Sequence, residues 1–321
     1  MKCQKCGQKA SVDLRRHNTA FCAVHYLEFF ERQVQRTIER WRMFTPQDRI
    51  LVAVSGGKDS LTLWEVLLRL GYRPTGLHIH LGIGAYSDLS QAKTEAFARS
   101  RGLSLLVVNL EEAYGLGVPQ LAKALRRVPC SGCGLSKRYI TNRVALENGF
   151  TVVATGHNLD DEAATLLGNL LHWQTDALAR QSPVLEADHP RLVKRVKPLF
   201  LMTEKETVSY ALLRRIDYIP DECPYAQGAR SLLYKDALNQ IELHSPGSKQ
   251  QLVAGFLERL RPLLAQADRQ TVGECQRCGQ PTTGVVCAFC RMWDQALKRI
   301  PVTVRPSDTL SPQAVGPSQA L

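Results

Sequence analysis

The stretch that most constrains the fold is RILVAVSGGKDSL, which starts at Arg49. Ile50, Leu51, Val52, Ala53 and Val54 form an unbroken apolar run of strand length, the pattern of a parallel strand buried on both faces. Ser55-Gly56-Gly57-Lys58-Asp59-Ser60 ends the run. Leu61, Leu63, Trp64, Leu67, Leu68 and Leu70 then recur at helical spacing as far as Gly71, a natural helix stop. Strand, glycine loop and helix in that order predict an α/β chain built on a doubly wound parallel sheet. A helix start offers unpaired N–H groups and a partial positive charge, and paired glycines let the backbone close around an anion. The alternative is an ordinary tight turn, which does not call for six consecutive small or charged residues.

The expected guest is a phosphate. GxxxxGK[ST] is absent, because Lys58 follows the glycines directly and Asp59 stands where a hydroxyl residue is required, so the loop is not a Walker A motif. SGGKDS instead resembles the pyrophosphatase loop of ATP pyrophosphatases, which adenylate a substrate oxygen and release pyrophosphate. The resemblance implies that Ser55, Gly56, Gly57, Lys58, Asp59 and Ser60 hold the phosphates of ATP, with Ala53 on the strand edge beside the nucleotide.

With 321 residues, the chain is long enough to bury one full α/β core and carry small appendages. Its net charge of +11, from 41 basic and 30 acidic residues, favours a polyanionic partner. No apolar run approaches a membrane span and MKCQKCGQKAS lacks a signal-peptide core, so the expected location is the cytosol, with no membrane partner. In that compartment ten cysteines point to metal or redox chemistry rather than disulfides. Cys3-x-x-Cys6 with Cys22-x-x-His25, and Cys275-x-x-Cys278 with Cys287-x-x-Cys290, each supply two ligand knuckles for a closed tetrahedral zinc site. In both, a glycine after the first knuckle, Gly7 or Gly279, allows the turn that aims N–H groups at sulfur.

Between these ends, periodicity predicts an amphipathic helix over 27–44 with Arg32, Arg36, Arg40 and Arg42 on its polar side, ended by Thr45-Pro46. Strands are expected over 75–80, 103–109 and 151–154. A turn over 82–87 precedes a helix over 91–101 capped by Asp88 or Ser90, and Val128-Pro129-Cys130 opens a helix reaching about Asn148. The strand over 151–154 delivers Gly156-His157-Asn158-Leu159-Asp160-Asp161 to the same sheet edge as the first loop, since parallel strands end together. The two aspartates read either as helix caps or as site residues. A helix over 204–215 and a strand-like Tyr218-Ile219 precede Glu222-Cys223-Pro224. Cys130, Cys133 and Cys223 remain after the ribbons are filled; they are compatible with a redox dithiol plus a spectator or with three ligands on one metal centre, and the local sequence favours the second. The stretch Arg191, Lys194, Arg195, Lys197, together with the ribbons and Lys298-Arg299, is the expected grip for a nucleic-acid backbone.

Paired terminal ribbons, SGGKDS, PCSGCGLSKR, GHNLDDEAAT, RVKPLF and ECP follow one another as in the tRNA 2-thiouridine synthetases of the TtuA and TtcA group, and two ribbons make the chain resemble the TtuA branch. The match fails only in the Pro/Ser-rich tail after Ile300. The resemblance implies an N-terminal ribbon over 1–27, an ATP-pyrophosphatase domain over 28–270, a second ribbon over 271–300 and a flexible tail over 301–321. It implies a [4Fe-4S] cluster on Cys130, Cys133 and Cys223 with one iron lacking a protein ligand, two Zn2+ ions, Mg2+, and ATP as substrate. It implies Ile79 and His80 beside adenine, Gly156 and Asp161 at ATP, and Asp59, Lys137 and Asp161 as catalytic residues. The implied partners are tRNA, a thiocarboxylated ubiquitin-like sulfur carrier and a second copy of the chain. The implied reaction replaces the C2 oxygen of a uridine by sulfur after ATP has converted that oxygen to an adenylate. Uridine 54 of the T-loop is favoured over wobble uridine 34 or cytidine 32, and a non-catalytic zinc-ribbon RNA-binding protein is the rival of a different class.

Overall fold

The apolar run at Ile50 is continuous because its sheet is covered on both faces. Ile50 and Val52 belong to one buried cluster, with Phe30, Trp64, Phe200 and Tyr210, whereas Leu51 belongs to a second cluster, with Leu121, Ile140 and Trp293. The computed structural model describes residues 1–226, 228–265, 272–299 and 313–315.

An N-terminal hairpin, β1 (Val12–Leu14) and β2 (Thr19–Phe21), leads into α1 (Ala23–Arg40). Strands and helices then alternate: β3 (Ile50–Ala53), α2 (Lys58–Arg69), β4 (Thr75–His80), α3 (Gly84–Arg101), β5 (Leu105–Asn109), α4 (Leu110–Tyr114), α5 (Val118–Leu125), α6 (Pro129–Glu147), β6 (Val152–Thr155), α7 (Leu159–Leu171) and α8 (Thr175–Arg180). After β7 (Val184–Leu185) and β8 (Lys194–Val196) the chain becomes helical, with α9 (Glu204–Leu213), α10 (Arg230–His244), α11 (Ser248–Gly255) and α12 (Arg261–Ala265). The C-terminal ribbon holds β9 (Gly273–Glu274), β10 (Pro281–Thr282) and α13 (Ala288–Leu297), and β11 (Gln313–Val315) follows.

Among the described residues the central sheet runs β11-β5-β4-β3-β6-β8-β7. The five strands from β5 to β8 are parallel and the two edge strands antiparallel. Chain order reverses between β3 and β6, so a crevice opens beyond their C-terminal ends, the usual ligand position of a doubly wound sheet. Neither ribbon is a free-standing module. Cys3, Leu14, Phe21 and Cys22 join one core cluster, and Cys275, Cys287, Phe289 and Trp293 join the other. Phe289 stacks on Tyr139 with centroids 3.7 Å apart, and Trp293 Nε1 donates to the Tyr114 carbonyl at 3.0 Å.

Several boundaries differ from the sequence expectation. Helix α1 starts at Ala23 because Cys22 is its N-cap, which puts His25 on its first turn. It stops at Arg40, before Thr45-Pro46, with the Trp41 N–H turned back to the Glu39 and Thr37 carbonyls. Arg32, Arg36, Arg40 and Arg42 are exposed, as expected. Helix α3 starts at Gly84, so residues 84–87 are helical and neither Asp88 nor Ser90 is the cap. The Ser87 hydroxyl accepts from the Ile83 N–H at 3.0 Å instead, and the Ser90 hydroxyl donates to the Ser55 carbonyl. Tyr218-Ile219 forms no strand; its tie to the sheet edge is the bond from Ile219 N–H to the Gly56 carbonyl, 3.0 Å. The expected tail lies outside the described residues apart from Gln313–Val315, which pair antiparallel with β5.

Candidate active site at the sheet edge

Two loops meet at the β3/β6 crevice. Gly56 has φ of +75°, and a Cβ there would stand 2.6 Å from the Ser90 carbonyl oxygen, so the turn out of β3 admits only glycine. Ser60 Oγ donates to the Gly57 carbonyl at 3.1 Å and accepts from the Ser55 N–H at 3.0 Å, which closes the loop on itself. Helix α2 starts at Lys58 with Gly57 as its N-cap and no side-chain cap, leaving its first N–H groups to face the crevice. From β6, Gly156 approaches the same turn so closely that a Cβ would lie 2.9 Å from the Asp59 carbonyl carbon and the Ser60 nitrogen. Ala53 and Ile79, at the C-terminal ends of β3 and β4, are half-buried along this edge. His80 Nε2 lies 3.0 Å from Asp88 Oδ1.

The charged groups form one chain. Lys58 Nζ lies 3.0 Å from Asp59 Oδ2 and 2.6 Å from Glu204 Oε1. Glu204 Oε2 lies 3.3 Å from Lys235 Nζ, which stands 2.6 Å from Asp161 Oδ1. Asn158 Nδ2 donates to Asp59 Oδ1 at 3.1 Å. Burial pushes the Asp59 carboxyl up; the Lys58 ammonium pulls the other way and the Asp161 charge adds to the rise. Burial also acts to raise Asp161, but the Lys235 ammonium overrides it and holds that carboxyl below the usual range. The two aspartates of the helix start have separate jobs. Asp160 is buried against Lys249 at 2.5 Å and accepts from the Glu204 N–H at 2.8 Å. Asp161 completes a capping box with Asn158, 3.1 Å in each direction, while its other oxygen faces Lys235 in the crevice. The cap reading of Asp161 thus holds, and its second oxygen stays free of the cap to meet Lys235. Glu204, Lys235 and Asn158 were not among the sequence candidates. Glu204 and Lys235 reach the site only by tertiary packing, while Asn158 carried the one local signal, an N-cap asparagine three residues before an acid.

Cys130 and Cys133 lie on the first turns of α6. Cys130 Sγ contacts the Tyr225 carbonyl at 3.3 Å, which brings the loop carrying Cys223 against that helix. Burial raises the Cys133 thiol; the Lys137 ammonium, one turn further along, opposes it, and the neighbouring Cys223 and Cys130 reinforce it. Tyr86 of α3 stands in the field of Cys223 and Cys133. Lys137 is exposed and its charge is also felt at His78 and His157. The trio is more open than a single-ion cage: among the described residues, only the two ribbons bring three or more ligand atoms all within 4.8 Å of one another. A spread triad of thiols at a helix N-terminus suits an anionic multi-iron cluster better than one tetrahedral ion.

The ribbons do have the geometry of single tetrahedral ions. A Zn–S bond of about 2.3 Å gives an S···S edge of about 3.8 Å. The Cys6–Cys22 and Cys278–Cys287 sulfur pairs are both 3.8 Å apart, and His25 Nδ1 lies 3.4 and 3.3 Å from Cys3 and Cys22. The expected basic grip has protein partners for its cations. Its cations lie in and around β8 and already have partners: Arg191 on Glu274, Lys194 on Glu186 and the Arg42 carbonyl, Arg195 on the Arg138 carbonyl, and Lys197 on Glu162. Arg299 likewise donates to the Ala124 carbonyl.

Sheet order, glycine turn and paired acids define a PP-loop nucleotide-binding domain, and the PP-loop domain family matches residues 27–229. The N-terminal LIM domain of 2-thiouridine synthetase TtuA matches residues 2–27. The chain belongs to the family of the tRNA-5-methyluridine(54) 2-sulfurtransferases. It is 59% identical to the Thermus thermophilus member over 93% of both chains, and 44% identical to that of Pyrococcus horikoshii over 91% of this chain and 94% of the other. The cytoplasmic tRNA 2-thiolation protein 1 of Bos taurus is 33% identical over 91% of this chain and 87% of its own. Among solved structures, the U34-tRNA thiolase NcsA of Methanococcus maripaludis with its [4Fe-4S] cluster superposes with a TM-score of 0.81 at 27% identity, covering 96% of this chain and 99% of that one.

Proposed function

We propose that this protein is an ATP-dependent tRNA 2-sulfurtransferase acting on uridine or 5-methyluridine 54. The observation that supports the reading is the meeting of the Gly56 and Gly156 turns at one sheet edge, with the carboxylate of Asp161 in the field of Asp59, in a chain of the 2-sulfurtransferase family. A uracil C2 oxygen is a poor leaving group. Its attack on the α-phosphorus of ATP forms a C2–O–P bond and expels pyrophosphate; a sulfur nucleophile then adds at C2, and AMP departs with the original oxygen. Ser55, Gly56, Gly57, Lys58, Asp59 and Ser60 hold the phosphates, assisted by Gly156, Asp161 and Mg2+. Ala53, Ile79 and His80 border the base. Lys137 stabilises the charge that develops on the departing phosphate. Cys130, Cys133 and Cys223 hold a [4Fe-4S] cluster, which when bound offers an iron open to sulfur. The two ribbons hold Zn2+. A thiocarboxylated protein supplies the sulfur, and a cytoplasmic homodimer is the working form.

Position 54 is preferred over wobble position 34 because relatives named for 54 reach 43–59% identity, whereas the cytoplasmic 2-thiolation proteins and the NcsA thiolases stand at 27–33%. ATP–pyrophosphate exchange with and without tRNA tests the reading. Exchange that requires tRNA supports it, and tRNA binding without any exchange would reduce the chain to a binding module.

A further inference from the structure

We propose that Arg16, a residue of the N-terminal ribbon far from the glycine loop in sequence, is a positioning residue for the two site lysines, Lys58 and Lys235. The inference rests on the reading of the β3/β6 crevice as an ATP site. Arg15 and Arg16 are neighbours with opposite fates: the Arg15 side chain is 67% exposed, the Arg16 side chain 7%. Every polar arm of Arg16 is used. Nε and Nη2 bind the two oxygens of Glu206 at 2.9 and 2.6 Å, Nη2 also reaches the Leu201 carbonyl at 2.9 Å, and Nη1 reaches Gln250 Oε1 at 2.9 Å. A bidentate arginine–carboxylate pair fixes orientation as well as distance, which an ammonium cannot do.

Glu206 is not an ordinary anchor. It is the third residue of α9, and its carboxylate caps that helix by accepting from the Thr203 N–H at 2.8 Å. Tyr26, on the first turn of α1, donates to the Glu206 carbonyl at 2.6 Å. Two residues earlier on the same turn stands Glu204, which holds Lys58 on one oxygen and Lys235 on the other. The first turn of α9 is thus clamped by the ribbon from one side and grips both site lysines on the other. Beside the clamp lies an open cleft of about 460 Å³, bordered by Arg15, Arg16, Glu204, Glu206, Asn239 and Lys249. The guanidinium bonds therefore set the ribbon side of that turn, beside the Asp160 carboxylate that accepts from the Glu204 N–H. Releasing them lets Glu204 drift, and lysines displaced by an ångström no longer match the phosphates.

The test compares full-length, zinc-loaded wild type with Arg16→Gln and Arg16→Lys, by calorimetric titration with ATP and by steady-state kinetics. Arg16→Gln is expected to weaken ATP binding and raise its KM about tenfold while kcat stays within about twofold. Arg16→Lys restores the charge without the fork and is expected to fall between. Gln250→Leu removes one of the four bonds and keeps the proposal testable if the Arg16 variants do not fold; its expected KM increase is about twofold to threefold. ATP affinity equal to wild type in folded Arg16→Gln or in Gln250→Leu, with only the melting temperature lowered, overturns the proposal. Wild type that binds no ATP would instead overturn the reading of the site.

Discussion

Gly156 lies against the carbonyl of Asp59 so tightly that a single added carbon at Gly156 would stand 2.9 Å from the Asp59 carbonyl carbon and 2.9 Å from the Ser60 nitrogen. The neighbours there are backbone, so they cannot swing aside, and the glycine loop must move. Gly156→Ala is therefore expected to raise the KM for ATP more than tenfold and to destabilise the fold by about 1–3 kcal/mol. Thermal melts and ATP titration check both arms.

Lys235 completes the charge chain between Asp161 and Glu204, and its ammonium is held above its usual pKa: burial opposes this, but the Asp161 carboxylate prevails. Lys235→Met leaves two carboxylates facing each other where phosphates must enter. The expected result is a loss of about a hundredfold in ATP-dependent turnover with iron and zinc contents unchanged, read from pyrophosphate release and metal analysis.

Asp59 and Asp161 have carboxyls shifted in opposite directions, so their neutral variants are expected to differ in sign. The raised Asp59 binds its proton more tightly in the folded chain; its stabilising contribution is full below 3.8, the ordinary value, and is lost as pH rises through the folded value. The lowered Asp161 contributes stability above 3.8 that is lost as pH falls through its folded value. At neutral pH, Asp59→Asn should raise the melting temperature and Asp161→Asn should lower it, while both abolish adenylation. Melts and ATP turnover on the two variants measure this directly.

Asp160 and Lys249 form a buried pair with 5% and 4% of their side chains exposed. Removing one partner strands the other charge, so Lys249→Met is expected to cost about 3–5 kcal/mol in denaturant titration.

The features legible in sequence were those written in contiguous residues. Alternating and continuous apolar runs gave β4 its observed limits, Thr75–His80, and placed α6 within a residue or two. Ligand knuckles gave both cysteine clusters. Other features depended on partners distant in the chain. Glu204 and Arg16 carry no local motif and acquire meaning only when α9 packs beside α2 and the ribbon. The basic run at Arg191 showed its charge in the sequence but not its partners, which come from distant segments: Glu274 for Arg191, the Arg138 carbonyl for Arg195 and Glu162 for Lys197. Helix α3 began early, at Gly84, with the Ser87 hydroxyl reaching back to the N–H of Ile83 just before it, a tie that the pattern at Asp88 and Ser90 obscured.

The most direct test of the account is nucleoside-resolved mass mapping of tRNA incubated anaerobically with the iron-loaded protein, ATP and a sulfide source, beside a variant with Cys130, Cys133 and Cys223 all changed to alanine. The account predicts ATP-dependent sulfur at C2 of residue 54 with the wild type and none with the variant. Sulfur at residue 34 instead, or at residue 54 with the alanine variant, would contradict it.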